Sequence, residues 1–400
     1  MTSPRLSASS RRAAWPDCAK ARGEPRVPIF MTATCLFYPF KLDNPDMSEP
    51  KDLKWVEIDL SAVAQNARWV VSRLEGAARL LAVVKADAYG HGAVEVSHAA
   101  LKAGACGLGV RDLCEASVLR KAGLRAPILL LAPILPEQAG EAARLRVTAT
   151  VDAAEQARAL QAAAGGRRVG VHVDVDSGLG RWGVAPRALH ALMMSLSRLP
   201  RVRVEGLSTH IDYVPGKNAV EAEEKLGAFR RLAAPYKKKD PGLVVHAANS
   251  SVFVDFPHHR FDMACAGNLL YGINPSKSRP APLKNPWRFC ARIISLREMR
   301  KGTSIGYASE YVAAKRMRIA TLPVGYADGL TMEPAERLIG FGGGFQYWGM
   351  CRGMRLPFVG RCGITHVLVD ATDAPDAKAG DVVTLPVRRT AARHLRRVYL

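Results

Sequence analysis

No run of eighteen consecutive apolar residues occurs in the 400-residue chain, so no segment reads as a membrane-spanning helix. None of the eight cysteines, at positions 18, 35, 106, 114, 265, 290, 351 and 362, forms a C-x-x-C pair. A zinc motif is therefore absent, no metal site is expected, and the irregular spacing fits reduced thiols in a cytoplasmic protein better than a disulfide framework. Acidic residues are scarce: 36 Asp and Glu stand against 57 Lys and Arg, a formal charge of +21. The basic residues are scattered, without the aromatic interleaving or motifs of a nucleic-acid reader, so a specific nucleic-acid partner is not expected. Such a surface attracts anionic substrates and polyanions alike. No internal repeat or coiled-coil heptad stands out.

What is present is enough apolar material, 48% of residues, for one large domain and a smaller one. Residues 1–50 differ from the rest. They carry early Ser, Arg and Pro, an apolar patch at Ile29–Phe40, and Asp17 and Glu24, which argue against a transit peptide. They read as a disordered or artefactual extension, with Met47 a plausible start. From Trp55, short apolar runs alternate with Ala-, Leu-, Arg- and Glu-rich helical stretches. Seven strands are predicted: Leu80–Lys85, Gly107–Val110, Ile128–Leu131, Thr148–Val151, Val169–Asp174, Val204–His210 and Val244–Ala247. This α/β alternation predicts a parallel sheet, which eight units would close into a (β/α)8 barrel of the TIM type over 51–276; an open doubly wound sheet is the alternative. Pro275, Pro280, Pro282 and Pro286 mark a linker, after which strand-like runs with glycines predict a mostly β C-terminal domain over 277–400.

The most informative segment is Leu81-Ala-Val-Val-Lys-Ala-Asp-Ala-Tyr-Gly-His-Gly92. A buried strand ends in Lys85, and lysine is among the residues least often fully buried. Either it snorkels to the surface, or its pKa is lowered and it forms a Schiff base with a carbonyl cofactor such as pyridoxal phosphate. Other polar residues share its place at strand ends, where barrels carry their chemistry. These are Asp174, with Arg181 on the following loop, His210, Asn249 with Ser250, and Gly267. Each alone has an ordinary structural explanation, a packed histidine or a helix cap for example.

Val84-Lys-Ala-Asp-Ala-Tyr-Gly-His-Gly92 closely resembles the cofactor segment of the alanine racemase family, and the likeness runs from about Trp55 to about Leu385. The resemblance implies a pyridoxal 5'-phosphate enzyme of barrel-plus-β architecture that interconverts L- and D-alanine, supplying D-alanine for peptidoglycan. By it, Lys85 carries the cofactor, Tyr89, Ser250 and the backbone at Gly267 and Asn268 hold its phosphate, and Asn249 lies beside them. Arg181 matches the arginine that meets the phenolic oxygen and substrate carboxylate, and His210 the histidine packed by the pyridine ring. In the second domain, Ser304-Ile-Gly-Tyr307-Ala matches the segment of a catalytic tyrosine, and Leu322-Pro-Val-Gly-Tyr326-Ala-Asp-Gly that of a tyrosine at the substrate entrance. Both would enter the site of the partner subunit, implying a homodimer with shared active sites and two bases, Lys85 and Tyr307. Three departures stand out. Cys265 replaces the arginine at the ring nitrogen; Ile364-Thr365 replaces a Met-Asp pair at the substrate; and the late phosphate-contacting tyrosine is missing, Tyr399 being an unsafe substitute. Asp174 stands where the family often has a carbamylated lysine, and is expected to hold Arg181. The departures keep open another same-fold enzyme, a different amino-acid racemase, lyase or dehydratase, or a cofactor-binding protein with little turnover.

Overall fold

The computed structural model describes residues 52–76, 78–309, 311–330 and 348–400. The expected extension at 1–50 lies outside them. Eight parallel strands form one sheet: β2 (Arg79–Val83), β3 (Gly107–Val110), β4 (Ile128–Pro133), β5 (Thr148–Val151), β6 (Val169–Val175), β7 (Val202–Thr209), β8 (Val244–His246) and β9 (Met263–Ala266). They follow chain order round the sheet, except that β9 pairs with β2. A parallel bridge between Ala248 and Ala264 joins the two ends, so the sheet is a closed barrel and not the open alternative.

Strand alternation sorts the side chains into two layers. Leu81, Leu129, Val244 and Met263 plug the barrel's interior. Their neighbours Leu80, Leu130, Val245 and Ala264 face the helices. The same parity carries Lys85 inward after Leu81 and Val83, and Cys265 and Gly267 inward after Met263.

The first strand departs from the sequence expectation. β1 (Lys54–Ile58), assigned by pattern to the barrel unit, pairs antiparallel with β10 (Trp287–Arg292) and parallel with Arg397–Tyr399. It belongs to the nine-stranded sheet of the second unit because Val56 and Ile58 bury their side chains in that unit's core with Phe289, Leu322 and Val383. Within that unit the Lys54 ammonium donates to Asp328 at 2.7 Å, a carboxylate that is 1% exposed, and fixes the start of β1.

Between β2 and the next helix the backbone does something unusual. Ala86, Asp87, Ala88 and Tyr89 all have φ between 52° and 55°, one full left-handed turn without a glycine. Each such residue costs roughly 1–2 kcal/mol. Three charge-assisted contacts, typically about 1.5–3 kcal/mol each, offset that cost. The Asp87 carboxylate accepts from the Ala93 amide at 2.8 Å and from the Arg397 guanidinium, and Glu115 accepts from the Ala86 amide at 2.7 Å. Arg397 also donates to the Gly90 carbonyl at 2.9 Å.

Gly90 ends the turn at φ 91°, with the Arg389 carbonyl oxygen 2.2 Å from where a Cβ would stand. A Gly90→Ala substitution therefore meets an unfavourable φ and a backbone clash together. Chemical denaturation should show a loss of about 2 kcal/mol or more; a loss under about 0.5 kcal/mol would show that the C-terminal arm does not press on this turn.

Candidate active site

A cavity of about 310 Å³ opens at the carboxyl ends of the barrel strands. Lys85, Tyr89, Arg181, His210, Asn249, Ser250, Gly267 and Asn268 all line it. The lysine's pKa is lowered from its ordinary value, first by burial and then by the nearby charges of Arg181 and Arg111, with Glu115 opposing. A larger share of the Lys85 amine is thus neutral at a given pH than in a free lysine.

One side of the cavity is a cradle of neutral donors. The Ser250 hydroxyl accepts from the amides of Gly267 and Leu269 at 3.1 and 3.4 Å, and Asn249 caps the following short helix by accepting from Ser251 and Val252. Tyr89 stands against Gly267, its hydroxyl 2.5 Å from where a Cβ would be, so only glycine fits there. Burial pushes the Tyr89 pKa up to about 12, so it remains a donor. Tyr271 stacks behind it at 4.6 Å and is fixed by donating to the Val83 carbonyl. This set of hydroxyls and amides fits a phosphate dianion.

The opposite wall carries Arg181, whose guanidinium lies 3.7 Å over the Trp182 ring. His210 faces the open cavity, yet the surrounding protein and the charges of Arg181 and Lys85 lower its pKa to about 4. It is a neutral imidazole at physiological pH.

At the floor, Cys265 meets His246 with Sγ 3.4 Å from Nδ1, and His246 Nε2 lies 2.9 Å from His172 Nδ1. Burial pushes the thiol up to about 12 and His246 down to about 4, so both are uncharged. Cys265, His246 and His172 thus form one hydrogen-bonded run of uncharged groups. Sequence reasoning missed both histidines, although His172 shares the inward parity of Asp174. It also missed Trp182, Arg111 and Glu115. The nearby Arg260 does not take the place of Cys265: it covers the Phe253 ring instead.

Asp174 corrects an expectation. Among the described residues no ion pair joins it to Arg181; the Ser208 hydroxyl donates to it at 2.6 Å instead. It is 8% exposed, and burial raises its pKa to about 7 against the smaller opposing effects of Ser208 and Arg181. The seven-residue spacing could not reveal Ser208, which comes from the adjacent strand β7.

The four second-unit residues lie elsewhere. Tyr307, Tyr326 and Ile364 are 58, 38 and 56% exposed and do not line the cavity of this chain. They are nevertheless brought together: the amides of Tyr326 and Ala327 donate to the carbonyls of Gly363 and Ile364, and Tyr307 lies 6.2 Å from His366, next to Thr365. Tyr399 is not in the cavity either; its hydroxyl donates to Glu95.

A family model described as "Alanine racemase, N-terminal domain" matches residues 58–275, and one described as "Alanine racemase, C-terminal domain" matches residues 287–397. The chain is 37% identical over 336 residues to the alanine racemase of Desulfovibrio desulfuricans, covering 83% of this chain and 88% of that protein. With the alanine racemase of Syntrophobacter fumaroxidans it shares 36% identity over 335 residues, 83% of this chain and 87% of that one. The solved alanine racemase of Clostridium difficile 630 superposes with a TM-score of 0.78 at 27% identity, covering 88% of this chain and 97% of that one.

Asp174 generates a test. Its folded pKa lies above the ordinary value, so folding favours the protonated form, and that contribution is lost as pH rises from about 4 through about 7. Asp174→Asn mimics the neutral acid. By denaturant unfolding the variant should exceed the natural chain at pH 8 by up to about 4 kcal/mol, with the gap closing toward pH 4. A gap that does not change with pH would remove the raised pKa from the account.

Proposed function

The chain belongs to the alanine racemase family, and from that premise we propose that it interconverts L- and D-alanine with pyridoxal phosphate held in the barrel cavity. The observation that carries the reading is the convergence of Lys85, a neutral phosphate-type cradle and Arg181 on one cavity of about 310 Å³. Lys85 would anchor the cofactor. Tyr89, Ser250 and the amides of Gly267 and Asn268 would hold its phosphate, with Asn249 capping the helix that presents Ser250. His210 would pack beside its ring, and Arg181 would face the substrate carboxylate.

When bound, pyridoxal phosphate withdraws electrons from the amino acid's α-carbon and makes its proton acidic. Inversion then needs a base on each face. The Lys85 amine, with its lowered pKa, accepts or returns the proton on one face. Tyr307 of the partner subunit does so on the other, and Tyr326 of the partner subunit, with Ile364 and Thr365 of the partner subunit, borders the substrate. The exposure of these residues on a surface away from their own chain's cavity supports a homodimer with shared sites. Cys265 and His246 present the cavity floor with uncharged polar groups and no fixed positive charge. The reading extends to a cytoplasmic enzyme supplying D-alanine for the cell wall, with a barrel unit up to about residue 276 and a β unit beyond it.

Chiral analysis of the purified, cofactor-loaded protein incubated with each common L-amino acid tests the reaction and its substrate. D-alanine should accumulate from L-alanine, and Lys85→Ala should abolish it. Borohydride reduction followed by peptide mapping should find the cofactor on Lys85; another lysine, or a D-product from a different amino acid alone, would displace this reading.

Shared sites make a separate prediction. Random mixing of Lys85→Ala and Tyr307→Phe chains should restore activity to about a quarter of all sites, since half the dimers are mixed and each has one intact site. Verified mixed dimers without activity would place both bases in one chain.

A further inference from the structure

On the outer face of the barrel, remote from the cavity, three potential metal ligands converge. Glu223 lies on the long helix Ala219–Lys239, and His258 and His259 lie on the turn Pro257–His259 that leads into β9. The Nε2 atoms of His258 and His259 stand 2.9 and 2.8 Å from the same carboxylate oxygen of Glu223. All three ligand atoms fall within 4.8 Å of one another. Adjacent residues rarely aim both imidazoles at one point; here the turn brings the two rings to 4.7 Å at an interplanar angle of 49°.

We propose that Glu223, His258 and His259 form a binding site for a borderline divalent transition ion, represented by Zn2+, which staples the long helix to the turn before β9 and displaces Arg230 as it binds. Two imidazoles and one carboxylate suit Zn2+ and its neighbours, not Mg2+ or Ca2+, which prefer all-oxygen ligands. Tetrahedral coordination with arms of about 2.1 Å needs ligand atoms about 3.4 Å apart, so the two N–O distances of 2.9 and 2.8 Å need to open slightly as the ion enters. The side chains of His258 and Glu223 are 65 and 42% exposed, which leaves a path for the ion and a fourth position for water.

Arg230 supplies the means of testing this. Its guanidinium donates to Nδ1 of His259 at 3.2 Å and also to the His258 carbonyl. A guanidinium has only donors, so His259 must accept at Nδ1 and keep its proton on Nε2, pointing at Glu223. An ion bound at Nε2 requires the opposite tautomer, with the proton on Nδ1 where Arg230 now stands. The exposed Arg230 therefore competes with the ion by its position and by its charge.

Equilibrium dialysis of the cofactor-loaded protein against Zn2+, in a Cys18→Ser, Cys35→Ser, Cys114→Ser background that removes the thiol exposed among the described residues and the two outside them, reads the site directly. His258→Ala and Glu223→Gln, both surface changes, should each weaken one saturable site at least tenfold. Arg230→Ala should tighten the same site several-fold, the reverse of what loss of a structural contact would do. Zn2+ should raise the unfolding midpoint of the natural chain and leave that of Glu223→Gln unchanged. Absence of a saturable site, equal affinity in the variants, or an Arg230→Ala change that fails to tighten binding would each overturn the proposal.

Discussion

The left-handed turn at 86–89 is the constraint on which the site rests. With φ near +50° at four successive residues, this backbone would unwind if left to itself. It is held because Asp87, Glu115 and Arg397 place charge-assisted bonds on it from its own side chain, a neighbouring helix and the strand Arg397–Tyr399. The turn follows Lys85 directly and brings Tyr89 back over Gly267. Relaxed to a right-handed turn, the same sequence would direct Tyr89 away and leave half of the phosphate-type cradle without a donor.

Electrostatically, the cavity is a set of neutral groups with a few cations behind them. His210, His246 and Cys265 are all kept uncharged by burial, and Lys85 is drawn in the same direction. Arg181 and Arg111 remain as positive charge at the walls. An anionic group entering such a site meets donors without having to displace protons or counter-ions, and its position is fixed by geometry more than by net attraction. The overall excess of basic residues adds only a broad pull toward anions.

Much of this was legible in the chain. Strand parity alone turns Lys85 inward after Leu81 and Val83, and repeated apolar runs at strand spacing give seven of the eight barrel strands. The eighth, Met263–Ala266, escaped because Met-Ala-Cys-Ala has none of the branched residues that mark a strand; its identity comes from closing the ring between β8 and β2. The partner of β1 was hidden for a related reason, since pairing with residues 287–292 and 397–399 is a matter of topology and leaves no local signature. The left-handed turn has no glycine to announce it. Ser208 beneath Asp174 is likewise a contact across strands, and a spacing argument can only find partners along one.

The strand Arg397–Tyr399 separates two events in assembly. A protein emerges from the ribosome N-terminus first, and the barrel strands can pair while the rest is still being made. The parallel partner of β1 and the guanidinium that grips Asp87 both come from the strand Arg397–Tyr399, Arg397 lying 310 residues after that aspartate. The barrel strands around Lys85 are thus all made well before the Arg397 bond to Asp87 can form. The clamp on the turn is therefore a long-range contact, and its formation reports that the β unit has docked onto the barrel.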